Sequence, residues 1–137
     1  MITTYVDSGV LIYASRGTEE AAQRALPFLK DTNRQFVTSD YVLLEVLPKS
    51  IFHKNKAETE FYQGFFQLNL RVVHTSNELL KLAMEEGCRT GISGLDAIHI
   101  AAAVFGGAEE FITTERSTKA IHRTRLIRVV SIHRSDS

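Results

Sequence analysis

Little in this chain announces a function by its presence, and several absences narrow the field. Cys88 is the only cysteine among 137 residues, so an internal disulfide and every CxxC-type zinc or redox motif are excluded. A small buried or half-buried thiol is the expected state of that residue. No apolar run approaches the ~20 residues of a membrane-spanning helix. Met1 to Asp7 leads straight into a strand-like segment without a basic or apolar leader, so a soluble, cytoplasmic chain with no membrane contact is expected. Net charge is absent as well: 16 Lys plus Arg balance 16 Asp plus Glu, and charge alone selects neither nucleic acid nor membrane. A GKS or GKT loop, a GxGxxG turn and a legible Ser/His/Asp nucleophile system are all missing, which disfavours nucleotide-cofactor chemistry. Internal repeats and low-complexity segments are lacking too.

What is present suits one domain over residues 1–137. A hydrophobic content of 44% is enough for a core that buries roughly two thirds of the unfolded surface, and too little for two. The β-branched run Ile2 to Val6 reads as a strand, followed by Asp7-Ser8-Gly9 and a helical pattern through Val10, Leu11, Tyr13 and Ala14. Thr18-Glu19-Glu20 opens a second helix that ends at Asp31-Thr32-Asn33. Phe36 to Thr38 is a second strand, and Ser39 or Asp40 caps a helix carrying Leu44 and Glu45. Pro48 interrupts or kinks that helix, since it lacks a backbone donor, and a further helix runs from about Lys56 to Leu68.

A third strand spans Leu70 to His74, and Thr75-Ser76-Asn77-Glu78 caps a helix from Leu79 to Glu86. Gly87 to Gly94 reads as a glycine-punctuated turn region before a helix over Leu95 to Val104. Phe111 to Thr113, a short helix around Ser117 to His122 and a strand from Leu126 to Ile132 precede the polar tail Arg134 to Ser137. Strands alternating with helices predict an α/β fold, a three-layer α/β/α sandwich around a parallel sheet of four to five strands.

Four acids stand out by position. Asp7 closes the first strand, Glu45 lies among five aliphatic residues (Val42, Leu43, Leu44, Val46, Leu47), Asp96 enters the helix after Gly94, and Glu115 follows the fourth strand. Ligands of open α/β sheets bind outside the carboxyl ends of parallel strands, so four acids far apart in sequence can meet there. Carboxylates gathered in a partly desolvated cleft repel one another unless protons or a cation intervene, and hard divalent ions prefer oxygen donors. The economical reading is a Mg2+ or Mn2+ site. Each acid also has a plain structural alternative: an N-cap for Asp7, a solvent-facing helix position for Glu45, a capping box with Ser93 for Asp96, and a helix-dipole contact for Glu115.

Neighbouring residues complete the candidate set. Ser8 can orient Asp7 or a water or can cap the helix, and Thr113 can hydrogen-bond a carboxylate. Arg116 is a candidate phosphate contact. His99, one turn after Asp96, reads as a ligand, an RNA contact or a packed histidine bonded to the scaffold. Charge is also unevenly spread, for Arg116, Lys119, Arg123, Arg125, Arg128 and Arg134, with His122 and His133, form a segment without a single acid. Such a segment attracts a phosphate backbone or is an ordinary solvated face.

Taken in order, Tyr5-Val6-Asp7-Ser8, Glu45, Leu95-Asp96-Ala97-Ile98-His99-Ile100-Ala101 and Phe111-Ile112-Thr113-Thr114-Glu115 resemble the PIN-domain ribonucleases, particularly the small VapC-type toxins of toxin–antitoxin pairs. The resemblance covers nearly the whole chain. It implies Asp7, Glu45, Asp96 and Glu115 as the catalytic, metal-binding acids, with Ser8 and Thr113 at the family's hydroxyl positions. It also implies Mg2+- or Mn2+-dependent hydrolysis of RNA to 5′-phosphate and 3′-hydroxyl ends, a homodimer, and a small antitoxin that blocks the cleft. Phe52, Phe61, Tyr62 and Phe65 are candidates for such interfaces, or for core. The fourth acid is usually Asp and is Glu here, and Ser117 replaces a further acid. Those departures keep alive a non-catalytic RNA- or protein-binding PIN module. A receiver-like signalling domain fits less well, because it calls for paired acids after the first strand and a lysine after the last.

Overall fold

The computed structural model describes residues 1–16, 18–68 and 70–133; the tail Arg134 to Ser137, with the last of the basic residues counted above, lies outside them. Five parallel strands form one sheet: β1 (Ile2–Val6), β2 (Arg34–Ser39), β3 (Arg71–Val73), β4 (Glu110–Thr113) and β5 (Arg128–Ser131). Their order is β3-β2-β1-β4-β5. The chain thus builds outward from β1 to β3, then returns to the other side of β1, and the reversal falls between β1 and β4. Being central, β1 is covered on both faces, which accounts for the complete burial of Thr4, Tyr5 and Val6.

Six α-helices flank the sheet: α1 (Ser8–Arg16), α2 (Glu19–Leu29), α3 (Asp40–Phe52), α4 (Lys56–Gln67), α5 (Asn77–Thr90) and α6 (Gly94–Phe105). α1 packs against α2, α3 and α4, while α5 packs on α6 and α6 lies against β2, β3 and β4. Side-chain oxygens of Thr18, Ser39, Asn55, Ser76 and Ser93 accept backbone N–H groups to begin α2 to α6. In α6 the small residues Ala97, Ala101, Ala102 and Ala103 are buried with Ile100, so the helix axis can approach the sheet closely. The expected three-layer α/β fold with a parallel sheet is the one observed, at five strands.

Several local expectations are corrected. α3 runs through Pro48, whose exposed ring forfeits one backbone hydrogen bond without ending the helix. α5 continues through Gly87 to Thr90 and stops at Gly91, which takes the left-handed φ of 74° that ends helices at low cost for glycine. Cys88 is exposed rather than half-buried. The segment after Glu115 becomes a 3-10 helix only at Ala120–Arg123, so Glu115 caps no helix. Tyr62 and Phe65 belong to the core, whereas Phe52 is 79% exposed on α3.

Charged residues inside the fold are paired. At the start of β4 the buried Glu110 accepts from the Thr4 hydroxyl and from Arg34 Nε, both at 2.8 Å, and the Arg34 guanidinium lies 4.8 Å over the Phe28 ring. Glu86, 1% exposed on α5, accepts a short hydrogen bond from the Thr124 hydroxyl and is held by Arg89 Nη2 at 2.7 Å. These networks tie distant segments together away from the end of β1 where Asp7 emerges.

Candidate active site

Asp7 leaves β1 at the point where the strand order reverses. Its backbone N–H donates to Ile112 O on β4 at 3.1 Å, which keeps the β1–β4 ladder going to the last residue. The carboxylate is gripped at both oxygens: Oδ1 accepts the Ser8 N–H at 2.8 Å and Oδ2 accepts the Thr113 hydroxyl at 3.0 Å. Thr113 Oγ1 also accepts the Glu115 N–H at 3.1 Å, so one hydroxyl organises two acidic segments. Ser8 and Thr113 therefore act on the carboxylates, as the sequence suggested they can.

Glu45 comes from the second turn of α3 and is half-buried. Its Oε1 accepts the Ser8 hydroxyl at 3.1 Å and lies 2.5 Å from His99 Nε2. Asp96 enters from the first turn of α6, whose N-cap Ser93 accepts the Asp96 N–H at 3.2 Å. Ser93 thus caps α6, and the Asp96 carboxylate is left half-buried in the same region. Glu115 is exposed at the rim after β4.

Electrostatics show that these groups share one neighbourhood. Burial pushes the Asp7 carboxyl above its ordinary value; His99 and the Thr113 hydrogen bond oppose this, and the negative charges of Asp96 and Glu45 reinforce it. Burial likewise raises Asp96 past the opposing effects of Ser93 and His99, with Glu115 and Glu45 adding repulsion. For Glu45 burial also acts upward but is outweighed by the hydrogen bond and charge of His99, by Ser8 and by Lys49, so its carboxyl is held below the usual range. Asp7, Glu45 and Asp96 thus feel one another directly, and Glu115 joins through Asp96.

His99 is 2% exposed, with its ring nitrogens against Glu45 and the Tyr5 hydroxyl. It is packed into the scaffold, with little surface left for an RNA contact. Arg116 is exposed beside Glu115, its Nε donating to His133 at 3.2 Å. Residues given no site role by the sequence reading also matter: Tyr5 and Tyr41 flank His99, Ser39 bonds the Tyr5 hydroxyl, and Lys49 sits one turn beyond Glu45. The i, i+4 spacing of Glu45, Lys49 and His53 was the available signal for the last of these. A cleft of about 380 Å³ opens there, lined by Ser8, Glu45, Lys49, His53, Asn55 and Glu58 among others.

The donor set fits a hard divalent cation: carboxylate oxygens whose repulsion and burial favour a positive partner, with hydroxyls to orient them. Among the described residues, no three His, Cys, Asp or Glu side chains are grouped closely enough to hold a metal ion between them.

Solved structures share the architecture. A toxin–antitoxin complex from Klebsiella pneumoniae superposes with a TM-score of 0.74 at 19% identity, over 95% of this chain and 98% of that one. VapBC2 from Rickettsia felis, bound to a promoter DNA fragment, gives 0.70 at 16% identity over 95% and 98%. VapC20 of Mycobacterium tuberculosis, a sarcin–ricin loop cleaving toxin, gives 0.68 at 17% identity over 88% and 94%. No curated protein matches the chain by sequence. The sequence model of the PIN domain matches residues 4–123, from the strand that delivers Asp7 to the helix beyond Glu115, and the chain belongs to the PIN-domain family.

Proposed function

We propose that this protein is a metal-dependent ribonuclease that hydrolyses RNA phosphodiester bonds and serves as the toxin of a toxin–antitoxin pair. The observation that carries the proposal is the meeting of Asp7, Glu45 and Asp96 beside the β1–β4 reversal, where burial and mutual repulsion raise two of the three carboxyls. Asp7, Glu45 and Asp96, with Glu115 at the rim, would hold Mg2+ or Mn2+. When bound, such an ion acidifies water and stabilises charge on phosphoryl oxygens.

The rest of the work belongs to the chain's own groups. Ser8 and Thr113 fix the Asp7 oxygens so that they need not reorganise during the reaction. Lys49 and His53 along the α3 cleft, and Arg116 beyond β4, supply cations for phosphates on either side of the scissile bond. The solved toxin–antitoxin complexes of the same fold support an antitoxin partner; the family resemblance adds that this partner would cover the acids and that the chain would pair as a homodimer. Leu44, Ile51 and Phe52, exposed on α3, offer apolar surface for such contacts.

Cleavage of a defined RNA with added Mn2+ tests the reading. Wild type should cut, and Asp7→Asn and Asp96→Asn should each lose more than about 100-fold in rate, since even outer-shell partners are worth 10–100-fold. Equal cleavage by all three proteins would discard this site. A second reading, a non-catalytic RNA- or protein-binding module, draws on the exposed Glu115 and on Ser117. It gains if the wild type binds RNA tightly in Mn2+ and never cuts it.

A further inference from the structure

Both nitrogens of the buried His99 are engaged: Nε2 lies 2.5 Å from Glu45 Oε1 and Nδ1 lies 2.8 Å from the Tyr5 hydroxyl. The Tyr5 hydroxyl is also 2.7 Å from Ser39 Oγ, and that oxygen accepts the Val42 N–H at 3.3 Å as the cap of α3. Elementary donor and acceptor rules give the Glu45 end a direction. An ionised carboxylate only accepts, so Nε2 carries a proton and donates it to Glu45. The Tyr5 hydroxyl, placed between Nδ1 and Ser39 Oγ, holds the other side of the ring.

The same geometry divides the two oxygens of Glu45. Ser8 and His99 both address Oε1, while Oε2 has no hydrogen-bond donor among the described residues. The ring cannot easily swing away, because Tyr5 holds one nitrogen and Tyr41 packs edge-on, with centroids 6.4 Å apart and planes at 85°. We propose that His99, its ring held in place by the Tyr5 hydroxyl, is a positioning residue that anchors Glu45 through Oε1 and reserves Oε2 for the metal. This rests on the reading of the acids as a metal centre. It makes α6 responsible for two acids: Asp96 directly, and Glu45, on a different helix, through His99 one turn later.

Two measurements test it. In metal-free wild type at neutral pH, long-range 1H–15N NMR should find a proton on His99 Nε2. An Nε2 without a proton overturns the inference whether or not the protein cleaves RNA. Mn2+ affinity, read without RNA from the EPR signal of the free ion, should weaken about 10–100-fold in His99→Asn, which offers an oxygen near Nδ1 but ends short of Glu45. His99→Gln, whose amide nitrogen can stand where Nε2 stood, should remain within about threefold of wild type. Tyr5→Phe keeps the stack on Phe111 at 5.2 Å, deletes the hydroxyl, and should fall between the two.

Thermal unfolding of the same samples separates packing from positioning. Unchanged Mn2+ affinity in His99→Asn, or equal losses in the Asn and Gln variants, overturns the positioning role even if Tm falls. A wild type that binds no Mn2+ and cuts no RNA sinks the metal-nuclease reading and this role with it. A wild type that does both, beside a His99→Asn protein that binds Mn2+ as tightly, sinks the positioning role alone.

Discussion

At the scale of single residues, the acids are in tension with the fold that holds them. Asp7 has a carboxyl raised chiefly by burial, so the folded protein binds its proton more tightly than the unfolded chain does. The stabilising contribution is therefore complete below the unfolded value near 3.8 and is lost as pH rises through the higher folded value. Asp96 has the same sign. Glu45, held low, has the opposite one: it contributes above its unfolded value and loses that contribution as the solution is acidified. Without metal, Asp7→Asn should accordingly melt higher than wild type, by a margin that grows as pH is raised from about 4 and then levels off. Calorimetry across that range checks it, and a margin that shrinks with pH would contradict the assignment. Added Mn2+ should reverse the ranking, since an ion at about 100 times its Kd contributes roughly 2.7 kcal/mol to the protein that binds it. Asp7, Ser8 and Thr113 were legible in the sequence because strand ends fix where their side chains emerge. Tyr5 was not, for alternation along a strand does not say which buried face meets a histidine from another helix.

At the scale of elements, close approach and capping set what can change. A Cβ added at Gly106, just after α6, would stand 2.3 Å from Val37 Cγ1 and 3.0 Å from Val73 Cγ2, pressing on both β2 and β3. Gly106→Ala should destabilise by about 1–3 kcal/mol, the usual cost of overpacking. Chemical denaturation would show this as a lower midpoint at unchanged m. Thr124→Val, which strips the hydroxyl donor from buried Glu86, should cost about 1–3 kcal/mol for the carboxylate left short of a partner, and it should spare Mn2+ binding. The extent of α5 was hidden in the sequence for a related reason. Gly87 disfavours a helix by about 1 kcal/mol, but the turn it occupies carries Ala83 and Glu86 into the interior, and that packing prevails. Pro48 misled in the same way: α3 is supported on α1 and α4, so one missing hydrogen bond does not end it. Short strands were recognised with shifted ends, because the ladder rather than composition decides where pairing stops.

At the scale of the whole molecule, zero net charge conceals a divided surface. Lys119, Arg123 and Arg125 are exposed on the segment that follows Glu115 and Arg116, while Arg128, also exposed, pairs in strand register with Glu110 at the opposite end of β4. RNA affinity should fall steeply with salt, and replacing Lys119 and Arg125 with Gln should flatten the slope by roughly 1.4, at about 0.7 per phosphate contact on a single strand. An unchanged slope would remove this surface from the RNA path. The strand order has a different kind of consequence. β1 is made first, yet its outer neighbour β4, with the Thr113 hydroxyl that grips Asp7, is made more than a hundred residues later. A chain still on the ribosome therefore holds its acids as separate, unaligned groups until β4 has emerged and slid in beside β1. Asp7 and Thr113 therefore meet only after β1 and β4 have paired, so the formation of the site reports the closing of the sheet's centre.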